Sequence, residues 1–193
     1  MPFSFEKTEL PGVVVCKPRI FADDRGYFFE SWNRRDFTEA GIHQTFVQDN
    51  QSASVKDTIR GLHYQAKPFQ QAKLVRVLFG AILDCAVDLR PYSPTFKQHL
   101  LYELTDEKGI SLFIPEGFAH GFRVLSNRAV VLYKASSFYA PEYDRGIAWN
   151  DPDLDIDWGI DSPILSEKDQ RQPQLRNISD AAVSYTHLTL PTN

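Results

Sequence analysis

Read for alternation, the chain breaks into short apolar or β-branched runs separated by Gly- and Pro-marked turns, with little of the three-to-four spacing that marks a helix. Residues 13–15, 26–32, 72–79, 82–89, 99–104, 111–114, 118–125 and 129–135 read as strands, rich in side chains that suit a pleated, half-buried surface. Two stretches read as helical: residues 34–40, stopped by Gly41, and a weaker turn at 166–170. This pattern predicts an antiparallel sandwich, jelly roll or small barrel rather than an alternating α/β sheet. A closed double sheet leaves an interior mouth for a ligand, and the 14 phenylalanines can line that interior as well as fill it.

Length narrows the picture. A chain of 193 residues buries one sizeable core, whereas two full domains would each be small for stable folding, so one domain over residues 1–180 is expected. The last thirteen residues, AAVSYTHLTLPTN, follow the polar stretch RQPQLRNISD and have no place in the strand rhythm; 181–193 is expected to be disordered or foreign to the fold. No run of 18 apolar residues could span a bilayer, so a soluble protein with no membrane partner is expected. The start MPFSFEKTELPG lacks the basic and apolar parts of a secretory signal, which makes the cytoplasm the expected compartment. Cys16 and Cys85 are isolated, with no CxxC spacing, and read as buried small hydrophobes. A net charge of -4 supplies no basic field for nucleic acid, so an anionic ligand must be met by local arginines and lysines.

Cofactor motifs are missing: there is no GxGxxG after a strand, no GxxxxGK[ST] and no GxSxG elbow. A metal site commonly draws two ligands from nearby positions, yet Gln65 stands two after His63, and Gly121-Phe122 follows His120, so no metal is expected. What remains is a set of polar residues inside apolar strands: Arg60 and His63, Lys73 in KLVRVLF, Asp84 in AILDCAV, His120 after IPEGFA, and Tyr133 in AVVLYKA. Alternation puts Lys73 with Val75 and Val77, and Tyr133 with Val131 and Ala135, so both point inward. Taken singly, each has a structural reading: a satisfied core imidazole, a packed ring with its hydroxyl bonded, a lysine reaching out to solvent, and for Arg25 a turn charge. Together, a base, a cation and a phenol around one apolar cavity suit carbon-acid chemistry.

Nine collinear stretches then resemble one family, the dTDP-4-dehydrorhamnose 3,5-epimerases. They are DDRGYFFES (23–31), FVQDNQS (46–52), IRGLHYQ (59–65), KLVRV (73–77), SPTF (93–96), FIPEGFAHGF (113–122), LYKA (132–135), WNDPD (149–153) and LSEKD (165–169). The resemblance implies an all-β, cupin-like jelly roll with a few short peripheral helices, a homodimer exchanging strands, and no metal or cofactor. It implies dTDP-4-dehydro-6-deoxy-D-glucose as substrate, inverted at C3 and C5 beside the C4 ketone. By resemblance His63 is the base, Asp169 orients it, Lys73 faces the developing enolate and Tyr133 is the acid on the opposite face. It also places Arg25, Glu30, Gln48, Asp49, Asn50, Arg60, His120, Asp144 and Lys168 around the nucleotide and sugar, with Tyr139 stacking on the thymine and Glu30 open to either subunit. Asp144 stands where some relatives carry a glutamate. A single-centre epimerase or a ketoisomerase on the same barrel, and a binding module that leaves the sugar unreacted, are the alternative readings.

Overall fold

The computed structural model describes residues 2–178, so the 181–193 tail lies outside the described residues. Thirteen strands form: β1 (Phe3–Lys7), β2 (Val14–Pro18), β3 (Phe21–Asp23), β4 (Gly26–Phe28), β5 (Gln48–Val55), β6 (Ile59–Gln65), β7 (Lys73–Phe79), β8 (Ala81–Asp88), β9 (His99–Thr105), β10 (Ser111–Ile114), β11 (Phe118–Val124), β12 (Arg128–Ala135) and β13 (Asp144–Gly146). Two short α-helices join them, α1 (Arg34–Glu39) and α2 (Glu167–Gln170). One sheet has the order β1-β2-β10-β7-β12-β5, the other β13-β6-β11-β8-β9, and β3-β4 is a separate hairpin. All these strand pairs are antiparallel, and the two larger sheets pack face to face as the expected cupin-like jelly roll.

The period of two is visible in who is buried where. Val15, Val75, Leu112, Ile114 and Val131 turn inward from the first sheet, and Ile82, Ala86, Phe118, Phe122 and Val124 answer from the second. The intervening Cys16, Leu74 and Phe113 face the other way, where Phe37 of α1 and Ile42 cover them. On the far side of the second sheet, Cys85, Val87 and Ala119 lie under Ile147, Leu154, Trp158 and Leu175 of the C-terminal segment. Both cysteines are therefore free and buried, as expected. Asn33 caps α1 by accepting a hydrogen bond from the Asp36 amide, and burial of Phe37 contributes roughly 1.5–3 kcal/mol.

Boundaries shift by a residue or two at most expected strands, and the larger differences are one shortened strand and four unanticipated ones. The 26–32 strand ends at Phe28, because the chain leaves the hairpin there and Glu30 accepts a hydrogen bond from Asn33 at the start of α1. Strands β1, β3, β5 and β13 are not anticipated by the pattern. In β5 the inward-facing residues include Gln48, Asn50 and Ser52, all polar, so its half-buried face carries no apolar pattern to announce it.

Candidate active site

The inner face is apolar along most of its length and polar at one end. There Arg60, His63, Lys73, His120, Tyr133, Tyr139, Asp144, Lys168 and Asp169 line one cavity of about 380 Å³, at the small end of the usual range for small-molecule sites. Among the described residues no group of three or more His, Cys, Asp or Glu side chains is arranged to hold a metal ion.

Strand β6 supplies two of these residues through an irregularity. His120 pairs with His63 and Phe122 with Arg60, two residues of β11 against three of β6. The extra residue brings Arg60 and His63, three apart in sequence, onto the cavity face, while Ile59 and Leu62 pack behind the sheet. Gly61 makes it possible. Its φ is +122°, and a Cβ there would lie 2.6 Å from the Gly121 Cα.

His63 Nε2 lies 2.5 Å from Asp169 Oδ1. The carboxylate is itself held: Ser166, the N-cap of α2, donates to Asp169 Oδ2 at 2.8 Å and accepts from the Asp169 amide at 3.1 Å. Burial pushes the Asp169 carboxyl up, but the hydrogen bonds from His63 and Ser166 and the charges of His63 and Lys168 hold it below its ordinary value. It is therefore an anion at neutral pH and accepts the Nε2 proton, which leaves Nδ1 as the ring nitrogen that can serve as a base.

Lys73 opens β7 and is buried beneath this pair, its Nζ 3.5 Å from the His63 carbonyl and 5.7 Å from the Tyr133 ring centre. Burial drives its ammonium down to about 8, against the pull of the Asp84 and Asp144 carboxylates. Tyr133, its register neighbour through Val75, is pushed up by burial and by Asp144, with Arg60 opposing, so the phenol keeps its proton at neutral pH. His120 is buried, with Nε2 2.7 Å from Asp84 Oδ1 and its ring 6.5 Å from that of Tyr133.

The mouth is built by hydrogen bonds. Gln65 holds the loop after β12, donating to the carbonyls of Phe69 and Phe138 and accepting from the Ala140 amide. Tyr139, 55% exposed on that loop, donates its hydroxyl to Asp144, which also pairs with Lys168. Arg60 donates to Ser54 at 2.8 Å.

Five expected site residues are not in the cavity lining. Arg25 pairs with Asp23 in the β3–β4 turn, its side chain 90% exposed, and Glu30 is bonded to Asn33. Asp49 faces outward and pairs with Lys134. Gln48 and Asn50 face inward at the end of β5 beyond Ser52, bonded to each other, and Gln48 also accepts from the Tyr139 amide. Conversely, Ser52, Gln65, Gln71 and Ser166 line the cavity although the sequence reading does not mark them as site residues. The alternation that places Lys73 would have found Gln65, two positions after His63; nothing local marks Ser166.

The family model described as dTDP-4-dehydrorhamnose 3,5-epimerase matches residues 7–177. A dTDP-4-dehydrorhamnose 3,5-epimerase of Pseudomonas aeruginosa is 53% identical over 164 residues, covering 84% of this chain and 90% of its own. One from Methanothermobacter thermautotrophicus is 49% identical over 178 residues, covering 90% and 95%. The crystal structure of a Legionella pneumophila 3,5-epimerase in complex with dTDP-4-keto-L-rhamnose superposes with a TM-score of 0.91 at 40% identity, covering 96% of this chain and 99% of that one. With the family model matched over residues 7–177 and relatives about half identical over most of the chain, this chain belongs to the dTDP-4-dehydrorhamnose 3,5-epimerase family.

Proposed function

We propose that the protein is a cofactor-independent isomerase that converts dTDP-4-dehydro-6-deoxy-D-glucose into dTDP-4-dehydro-L-rhamnose by inverting C3 and C5. One observation carries the reading: the Asp169-bonded imidazole of His63 and the proton-bearing phenol of Tyr133 line the same cavity, with a buried ammonium between the strands that carry them. In this mechanism His63 Nδ1 takes the proton from the carbon beside the ketone. The C–H electron pair moves to form the C=C bond of an enolate, and the carbonyl pair moves onto oxygen. Lys73 offsets that charge, in a place where water cannot screen it. Tyr133 then gives a proton to the opposite face of the carbon, the enolate collapses to the ketone, and solvent resets both groups. Asp169 orients His63 and stabilises the imidazolium that forms.

Arg60, His120, Asp144 and Lys168 hold sugar and diphosphate, and the exposed ring of Tyr139 stacks on thymine. Arg25, Glu30, Gln48, Asp49 and Asn50 belong to the same reading at the nucleotide end, with the hairpin residues delivered to the neighbouring subunit of a homodimer. In support, Arg25 and Glu30 sit away from the cavity of their own chain. One domain carries the reaction, and a cytoplasmic setting follows from the nucleotide-sugar substrate; among the described residues no helix is long and apolar enough to cross a membrane.

Solvent-deuterium incorporation into the sugar, read by NMR, tests the reading. Wild-type protein should label C3 and C5. His63→Ala should slow both exchanges by roughly 10² to 10⁴ while nucleotide-sugar binding persists, and Tyr133→Phe should uncouple proton removal from inversion. Label at C3 alone would assign a single-centre epimerase, and brisk exchange by His63→Ala would reject His63 as the base.

A further inference from the structure

Beneath the cavity, and not among the side chains that line it, is Asp84. It occupies the middle of β8, opposite Phe122 of β11 and Tyr102 of β9, and its inner-face neighbours along the strand are Ile82 and Ala86. Its side chain is fully buried. A carboxylate in an aliphatic layer is expensive to bury, and an apolar side chain of similar volume commonly stabilises a fold more. Only one oxygen is used: Oδ1 meets His120 Nε2 at 2.7 Å, whereas the buried Oδ2 has no hydrogen-bond partner.

Lys73 shows the complementary deficit. It is a buried ammonium whose hydrogen bond to the His63 carbonyl is long, at 3.5 Å, and whose other contact is the face of Tyr133. It turns inward with Val75 and Val77 of β7, toward the same interior that Asp84 enters from β8 with Ile82 and Ala86. The other groups around it are His63 and Arg60 on β6, His120 on β11, Tyr133 on β12, Asp144 on β13, and Lys168 with Asp169 on α2. Of the three carboxylates, Asp169 is engaged by His63 and Ser166, and Asp144 by Lys168 and Tyr139. Asp84 alone keeps an uncommitted oxygen in the interior.

We propose that Asp84 is a positioning residue that acts in two directions: it fixes His120 with Nε2 protonated and Nδ1 as acceptor, and it is the buried counter-charge that keeps Lys73 an ammonium. The second role matters for catalysis only if the protein is the epimerase proposed; the electrostatic link itself does not depend on it. Burial keeps His120 below its ordinary value despite Asp84, so at pH 7 the ring is neutral and its one proton sits on Nε2, donated to the carboxylate. Among the charges that hold the Lys73 proton on, Asp84 exerts the largest pull and Asp144 the next.

Asp84→Asn keeps an acceptor for His120 and nearly the same shape while removing the charge. The Lys73 side chain is titrated by NMR in the ligand-free, isotope-labelled protein. Its midpoint should fall in the variant by about one pH unit or more, the scale on which a buried charge partner acts, and the alkaline limb of the kcat–pH profile should move with it. An unmoved Lys73 midpoint would overturn the counter-charge role. A moved midpoint with an unmoved kcat limb would overturn its relevance to the reaction, leaving the epimerase assignment to the deuterium test. Should the asparagine variant not fold, Asp84→Ser is titrated in its place. The His120 tautomer is read in wild-type protein from its ring nitrogen shifts, and finding the proton on Nδ1 at pH 7 would overturn the first role.

Discussion

Lys73 shows how one residue can be conspicuous in a sequence and still need the structure to be understood. A lysine in phase with Val75 and Val77 must point inward, and it does. Its charge state was not legible, because it balances burial, which lowers it, against carboxylates that come from β8 and β13. The consequence is a pH dependence with a definite sign. Depressed to about 8, Lys73 is an ammonium below that pH and a neutral amine above it. A reaction that needs the cation should therefore keep its kcat from neutrality to near pH 8, then lose about tenfold per further unit. Saturating kinetics from pH 6 to 10 would check this, and a rate that climbed through the alkaline range would mean that the neutral amine is the working form. His63, His120 and Tyr133 were visible for the same reason as Lys73, as polar residues interrupting apolar strands. Asp169 was not visible by pattern: its partner is 106 residues away, and only resemblance to known epimerases pointed to it.

At the scale of elements, the strands that bury an apolar face announced themselves, among them β7, β11 and β12, which carry Lys73, His120 and Tyr133, whereas the polar strand β5 did not. Strand β5 turns Gln48, Asn50 and Ser52 inward and so has no hydrophobic signal, since a face that lines a polar cavity cannot also be apolar. The bulge in β6 was equally silent. Glycine at 61 is common enough in turns that its presence does not reveal an extra residue within a strand. That bulge fixes which side of the sheet His63 occupies, and its tolerance is testable. Gly61→Ala would place a methyl 2.6 Å from the Gly121 Cα and 2.8 Å from the His120 carbonyl oxygen, at a φ that L side chains rarely adopt. Destabilisation of more than about 2 kcal/mol is expected from strain and overlap together, measurable by urea unfolding. Activity per folded molecule should fall as well, because any relief of the overlap displaces His63 or His120. Unaltered stability would mean that β6 and β11 can separate at no cost.

For the whole molecule, a sandwich, jelly roll or small barrel followed from many short strands with little helix between them and the family resemblance selected the jelly roll, whereas the segment after β13 was not foreseen, since its work is to cover the second sheet rather than to extend it. One surface is left conspicuously apolar: Tyr27 and Phe28 of the β3–β4 hairpin are 67% and 69% exposed, in one groove with Leu78 at 38%. Under the dimer proposal this surface is buried in an interface of ordinary size, about 1,600 Å² in total. Sedimentation equilibrium should give twice the chain mass, and Tyr27→Asp with Phe28→Asp should shift the protein to monomers that bind nucleotide sugar more weakly. A wild-type monomer with full activity would reject the dimer.

The 106-residue span between His63 and Asp169 also has a meaning in time. A ribosome makes the imidazole, the lysine and the phenol long before it makes the carboxylate, and the same late stretch supplies Leu154, Trp158 and Leu175 to cover the second sheet. A nascent chain arrested after β12 would hold most of the sandwich with Cys85, Val87 and Ala119 bare, an adhesive and chemically idle intermediate. Cover for the second sheet and the partner of His63 thus come from one and the same stretch of chain.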